Sequence, residues 1–390
     1  MTAHRVRVGD ICDVVGGGTP ARDVPDYYGG TIPWVTPKDM KRWEIRESQV
    51  NITQAGLENS ATRLVPPNAV LVVVRSGVLK HTIPVAMSRA SVAINQDMKA
   101  LLCAEHVHPD YVARFIKERS PVILSWVRAT TADNFPIDKL KALTIPLPPL
   151  PEQRRIAEIL DKADALRAKR RAALTQLDTL TQSIFLDMFG DPATNPKGWP
   201  KASLEDLFEI ARGGSPRPID DYITDDPDGI NWIMIGDTVE GGKYITSTRK
   251  RIRPEGARRS RAVKPGDFLL TNSMSFGRPY IMSTSGCIHD GWLVLSPRRE
   301  DVEPNYFYAL LGTQAVYAEF ARRAPGATVK NLNIDLVRGV TVPVPPLPTQ
   351  RKFAAIVASI EDRASTYNRA LAECDALFSA LQHRAFRGEL

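Results

Sequence analysis

Cysteine is scarce in this 390-residue sequence: the four present are Cys12, Cys103, Cys287 and Cys374, and no two form a short C-x-x-C pair. Reduced thiols in a cytoplasmic compartment are the simple expectation. No apolar run reaches membrane length, and the opening MTAHRVRVGD lacks the apolar core of a signal peptide, so no membrane partner is expected. A G-x-x-x-x-G-K-[ST] segment is missing, which removes the usual cradle for nucleotide phosphates. Also missing is the aromatic-ended Asp/Asn-Pro-Pro tetrapeptide of amino-methylases; in its place stand Val65–Asn68 (VPPN) and two junctions reading LPPL and VPPL. Gly16–Gly18 lacks the spacing of a dinucleotide loop and is read as a tight turn. His106 and His108 form a lone H-x-H without a third and fourth ligand, the pattern of a surface or locally hydrogen-bonded pair and not of a metal site. Catalytic, cofactor-binding and metal residues are therefore all expected to be absent from this chain.

What the sequence does contain is a repeat. Thr144–Arg154, TIPLPPLPEQR, returns as Thr341–Arg351, TVPVPPLPTQR, without a gap and 197 residues later. Thr131, Asn134, Ile137 and Asp138 correspond in the same register to Thr328, Asn331, Ile334 and Asp335. Looser matches extend the pattern upstream: DVVGGGTPARD against EIARGGSPRP, Pro33–Asp39 against Asn231–Asp237, Val65–Leu71 against Lys264–Leu270, and Pro109–Ile116 against Pro304–Leu311. One unit used twice accounts for this, and the length suits two globular parts with connecting elements. Identity is strongest at the proline junctions and weak between them, so the two copies share a scaffold and are expected to read different ligands, or different parts of one. A formal charge of +7 and a pI near 9.2 admit a polyanion as that ligand.

Residues 1–150 read as short strands and loops, with a helix at Asp110–Glu118 whose Tyr111, Val112 and Phe115 face inward. From Glu152 to Asp191 there is no proline, and Ile156, Ile159, Leu160, Ala163, Leu166, Leu174, Leu177, Leu180, Ile184 and Met188 recur at helical spacing. The second copy runs from Thr349 to about Phe386 with Phe353, Ile356, Val357, Ile360, Tyr367, Leu371, Cys374, Leu377 and Leu381 as its stripe. Each stripe needs a cover. The expected arrangement is an antiparallel coiled-coil pair that holds two globular parts apart. The fold class expected is α+β: two similar globular domains (1–150 and 192–348) separated by long helices (151–191 and 349–390), arranged pseudo-symmetrically.

This order, with LPPLPEQRRIAEIL opening a helix that ends SIFLDMFGD, and PPLPTQRKFAAIV opening one that ends LQHRAFRGEL, resembles the specificity subunit of a type I restriction-modification system over essentially the whole chain. The resemblance implies two target recognition domains that bind the halves of a split, asymmetric double-stranded DNA sequence, with the helices as a ruler between them. It implies no chemistry in this subunit. Two modification subunits that methylate adenine at N6, and restriction subunits that translocate and cut DNA, are the implied partners; S-adenosylmethionine, ATP and Mg2+ are expected in them and not here. A methylation-only or related restriction complex, a structural adaptor that joins protein partners without touching DNA, and a self-contained nuclease or methylase are the alternatives. The last of these requires acidic or methyl-donor signatures that the sequence does not display.

DNA contact is expected from polar loops. In the first copy these are Arg75, Ser76, Lys80 and His81 in VRSGVLKH, followed by Asn95; in the second, Asn272, Ser273, Ser275 and Arg278 in TNSMSFGRPY, followed by His289. Arginine and lysine match guanine edges and asparagine matches adenine, and all of them also bind phosphate. Arg249–Lys264 carries eight basic residues and one Glu, including Arg249, Lys250, Arg251, Arg258 and Arg259, and is expected along the DNA backbone. Arg167–Arg171 (RAKRR) lies within the first long helix and faces either DNA or another subunit. Trp34 and Trp232 are read as structural. Subunit docking is expected at the proline entrances and the helices: Pro148, Pro149, Pro151, Gln153 and Leu174 in the first copy, Pro345, Pro346, Pro348, Gln350 and Leu371 in the second.

Overall fold

In the computed structural model, residues 4–128, 133–239, 241–272, 276–323 and 332–390 are described. The chain forms two compact units, Met1–Arg171 with Asn368–Leu390, and Ala172–Tyr367. Each long helix contributes one half to each unit, so each unit contains helical segments beside its globular part.

Short apolar runs, buried along their whole length in the central strands, yield matching sheets in each unit. In the first, a five-stranded sheet runs in the order Cys12–Gly16, Met98–Cys103, Val70–Val73, Val85–Ser88, Glu44–Ile45, and a four-stranded sheet in the order Asn51–Ile52, Tyr28–Val35, Val92–Ile94, Arg63–Val65. In the second the orders are Phe208–Arg212, Trp292–Pro297, Phe268–Thr271, Pro279–Met282, Tyr244–Ile245, and Ile223–Thr224, Lys250–Ile252, Ile230–Ile233, Gly286–Ile288, Arg261–Val263. Strand by strand these match, Ile223–Thr224 answering the Tyr28 end of Tyr28–Val35, since Ile252 pairs with Ile223 and Ile230 as Ile52 pairs with Tyr28 and Ile32. Even the exceptional parallel pairings recur: Trp34 beside Ala93 and Glu44 beside Met87 in one, Trp232 beside Cys287 and Tyr244 beside Ile281 in the other. Pairing of the proline junctions closes each unit, Thr144–Pro146 on Arg5–Arg7 and Thr341–Pro343 on Lys201–Ser203.

A helix at Pro109–Glu118 covers the first unit's sheet and buries Tyr111, Val112 and Phe115. Its counterpart is Pro304–Leu311, which buries Tyr306 and Phe307. Each places a tyrosine hydroxyl on its own proline junction, Tyr111 on the carbonyl of Pro146 at 2.7 Å and Tyr306 on that of Pro343 at 2.8 Å.

The long helices span Leu150–Phe189 and Leu347–Ala385. Pro151 and Pro348 sit in the first turns, where a missing N–H costs no intrahelical bond. In the first unit Ile156 and Leu160 share a core with Phe378, Ala385 and Phe386, and farther along the first helix Arg167 reaches back to Asp375 at 2.5 Å. Numbers rise on one helix as they fall on the other, so this pair is antiparallel. In the second unit the end of the first helix, Phe185 and Phe189, packs on Phe353 at the start of the second. The expected apolar stripe needs correction, since Leu166, Leu180, Ile356 and Leu377 are exposed. The seams close instead around Phe185, Phe189, Phe378 and Phe386, aromatic side chains large enough to fill the space under each end.

Candidate nucleic-acid interface

In each unit, four loops meet at the ends of the sheets and are tied together by equivalent bonds. The glycine turn comes first. Gly18 donates its N–H to the carbonyl of Ile94 at 3.0 Å, and Gly214 donates to that of Ile288 at 3.1 Å. A Cβ at Gly17 would fall 1.9 Å from the carbonyl oxygen of Ile94, and one at Gly213 would fall 2.0 Å from that of His289. Close approach of two backbones accounts for these glycines. The hydroxyls of Thr62 and Ser260 lie 2.8 and 3.0 Å from the same two carbonyls. Trp34 and Trp232 are both buried, and the Trp34 indole donates to the carbonyl of Gly18 at 3.1 Å.

A second pair of turns is held by Asp39 and Asp237. Asp39 accepts from the N–H groups of Thr36 and Gln49 at 2.8 and 2.9 Å; Asp237 accepts from those of Met234 and Arg249 at 2.8 and 3.1 Å. The third and fourth loops carry most of the sequence-selected residues. Arg75 donates to Asp97 at 2.5 Å with its side chain about half exposed. Ser76 accepts from Val78 across a short turn at 3.4 Å, whereas Lys80 and His81 are exposed, the former 4.0 Å from Asp133. In the second unit Arg278 is half-buried with its guanidinium 5.5 Å from the Tyr280 ring. Ser273 and Ser275 lie outside the described residues.

Two of the expected base readers are corrected. Asn95 and Asn272 are buried. Asn95 donates to Asp97 and accepts from its N–H, both at 3.1 Å, and Asn272 donates to the carbonyl of Asp290 at 2.7 Å. Asn95 is held within its own loop and Asn272 against the Asp290 loop, so both help to shape the surface from inside. His289, which takes the place of Asn95 in the second unit, is also mostly enclosed: the N–H of Ile235 points at Nε2 (3.2 Å) and that of Gly291 at Nδ1 (2.8 Å). Burial lowers its pKa below the ordinary histidine value, and Asp290 and Asp237 oppose that shift.

The basic tract is on the surface. Arg249, Lys250, Arg258 and Arg259 are exposed and Arg251 is half-buried. Among the described residues none of these five has a carboxylate ion-pair partner; Arg259 instead donates to the Tyr222 hydroxyl at 2.8 Å. The topologically matching stretch of the first unit, Gln49–Val65, contains one basic residue, Arg63, and one acidic residue, Glu58. The shared scaffold thus presents two chemically different surfaces. Among the described residues no cluster of three metal-ligating side chains occurs, and no helix is long and apolar enough to cross a membrane.

The sequence model of the type I restriction modification DNA specificity domain matches this chain twice, over residues 3–176 and 196–373. The chain belongs to that family. Among its relatives, the EcoR124I/EcoR124II specificity subunit of Escherichia coli is 38% identical over 162 residues, 41% of this chain and 40% of that subunit's length. The MjaIX specificity subunit of Methanocaldococcus jannaschii is 22% identical over 410 residues, 98% of this chain and 92% of the relative. Two solved structures share the fold. One, from work on complex assembly and conformational transition of the type I R-M system, has a TM-score of 0.60 and 18% identity, covering 100% of this chain and 98% of its own. The other, a type I restriction-modification S subunit from M. genitalium, has a TM-score of 0.55 and 15% identity, covering 99% of each chain.

Within this specificity-family chain the proline entrances divide into outward and inward residues. Pro149, Pro151, Pro346 and Pro348 are exposed, Pro148, Leu174 and Leu371 are half-buried, and Pro345 is buried. Gln153 and Gln350 are buried as well, which removes them as docking residues. Gln153 accepts from the N–H of His108 at 2.8 Å and donates to the carbonyls of Pro148 (2.8 Å) and His106 (3.2 Å). Gln350 does likewise with the N–H of Glu303 at 3.1 Å and the carbonyl of Pro345 at 2.7 Å. Each fastens the first turn of a long helix to the loop before a covering helix. His108 belongs to this fastening. Arg167, half-buried, and Arg171, exposed, pair with Asp375 of their own unit at 2.5 and 3.1 Å, so two arginines of the RAKRR tract are engaged within the molecule. Arg114, which sequence periodicity did not single out, is 4% exposed, bridges Asp161 and Asp164 of the first long helix at 2.7 and 2.9 Å, and lies 4.0 Å from the Trp43 ring.

Proposed function

We propose that this chain is the non-catalytic targeting subunit of a type I restriction-modification complex: each unit reads one half of a bipartite, asymmetric double-stranded DNA target through its loop cluster. The observation that carries the reading is duplication with divergence. The bonds that hold the glycine turns and the Asp39 and Asp237 turns recur in both clusters, while the side chains they display differ, Arg75, Lys80 and His81 in one against Arg278 and the Arg249–Lys264 tract in the other. A scaffold repeated with altered contact residues suits two different half-sites. The exposed arginines and lysines supply phosphate neutralisation, and the polar loops supply direct readout.

The proline entrances and long helices are proposed to dock two N6-adenine methyltransferase subunits, with restriction subunits joining that assembly. S-adenosylmethionine, ATP and Mg2+ belong to those partners in this reading. The test is reconstitution. The purified chain should transfer no methyl group and cut no DNA by itself; added to the methyltransferase subunit of its own system, it should confer methylation at one bipartite sequence. Methylation of the same sites by the methyltransferase without this chain contradicts the proposal.

A further inference from the structure

We infer that Cys12 and Cys103 form a redox modification site, a thiol pair that closes to a disulfide under peroxide and staples an edge strand of the first unit. The two residues stand directly opposite each other in the antiparallel pairing of Cys12–Gly16 with Met98–Cys103, and their sulfurs are 3.3 Å apart. The N–H of Ala104 donates to the carbonyl of Ile11 at 3.0 Å, immediately beyond the pair. That bond makes Cys12 and Cys103 a non-hydrogen-bonded pair, whose Cα atoms sit about 4.5 Å apart, inside the range of roughly 4.4–6.8 Å that a disulfide spans. Side-chain rotation that brings the sulfurs to about 2.05 Å therefore requires no break in the ladder.

The surroundings assign the roles. Cys103 is half-buried and Cys12 is buried. The hydrogen bond with Cys103, and then burial, push the Cys12 thiol above its ordinary pKa, so Cys103 is the attacking sulfur and Cys12 the resolving one. With hydrogen peroxide, the Cys103 thiolate takes one oxygen to become a sulfenic acid, and the other oxygen leaves as hydroxide and is protonated to water. Cys12 sulfur then displaces the sulfenic oxygen, which departs as a second water with the Cys12 proton. Two thiols are oxidised and one peroxide is reduced.

Position gives the consequence. Cys12–Gly16 is the edge strand of its sheet, with Met98–Cys103 as its one neighbour, and it runs directly into the Gly17–Thr19 turn of the loop cluster. A covalent link at its far end limits fraying of that strand. The second unit has Phe208 opposite Pro297 at the matching strand ends, so oxidation acts on one unit alone.

The experiment exposes the reduced full-length chain to hydrogen peroxide, removes it, unfolds the protein and titrates thiols. The expected result is a fall from four thiols per chain to two, with a peptide linking Cys12 to Cys103 and slower amide exchange across residues 12–19. Cys12→Ser and Cys103→Ser should each abolish the linked peptide, while the Cys287→Ser, Cys374→Ser double variant should keep it. Four surviving thiols, a link to Cys287 or Cys374, a link between chains, Cys103 carried to sulfinic acid beside a free Cys12, or unchanged exchange with the bridge formed would each overturn the inference.

Discussion

His289 receives two main-chain N–H groups on one imidazole ring. A neutral imidazole accepts at one nitrogen and an imidazolium at neither, so one of the two contacts is a hydrogen bond in the neutral ring and protonation removes it. Burial sets its folded pKa below the ordinary value of about 6.5. For a base with a depressed folded pKa the unfolded chain binds more protons, so the contribution is fully present above about pH 6.5 and declines as pH falls through the folded value. Protection from amide exchange at residues 286–293 should therefore fall between pH 7.5 and pH 5 once the slowing of intrinsic exchange at lower pH is divided out, and His289→Asn, the residue at the matching place in the first unit, should flatten that dependence. An unaltered profile in the variant would show that the ring does not link these turns. Side chains of this kind mark the limit of sequence reading. Asn95, Asn272, Gln153 and Gln350 were visible as polar residues in promising places, yet the inward direction of the last three depends on main-chain groups of other loops, and that of Asn95 on the fold of its own turn. Arg114 was invisible for the same reason: its partners, Asp161 and Asp164, lie 47 and 50 residues away.

Among the elements, the helix ends carry more than the helix middles. Phe189 packs on Tyr306 and Phe353, with ring centroids at 4.7 and 5.5 Å, while Phe386 packs on Tyr111 and Phe115, both at 5.3 Å. These two residues belong to the MFGD and AFRGEL motifs. The motifs thus have a packing reason: each ends a long helix in the aromatic core beneath a covering helix. Phe189→Ala should destabilise the second unit, and Phe386→Ala the first, by about 3–5 kcal/mol. Leu166→Ala, at an exposed position, should stay within about 0.5 kcal/mol. Denaturant titration followed by amide exchange in each unit separates the effects, and equal losses for all three would refute this ranking. The existence and length of both helices were legible from their periodicity and lack of proline. The side of each that is buried was less so, because in a stripe of leucines spacing alone does not show that a phenylalanine one position away fills the larger gap.

For the whole molecule, the repeat was the most legible feature. Offsets near 197 residues aligned the proline junctions, Trp34 with Trp232, and the covering helices, and the sheets follow that alignment strand for strand. The short strand Ile223–Thr224 was not legible, being two residues long. What duplication means for function is the central claim: two equivalent units, each reading its own half of a DNA target. The most direct measurement replaces residues 1–150 with the corresponding domain of another specificity subunit, reconstitutes the methyltransferase complex, and maps methylation on a DNA library with both half-sites and their spacing randomised. The account predicts that one half-site changes, while the other half-site and the spacing stay as they were. A change in both half-sites, or in neither, would contradict it.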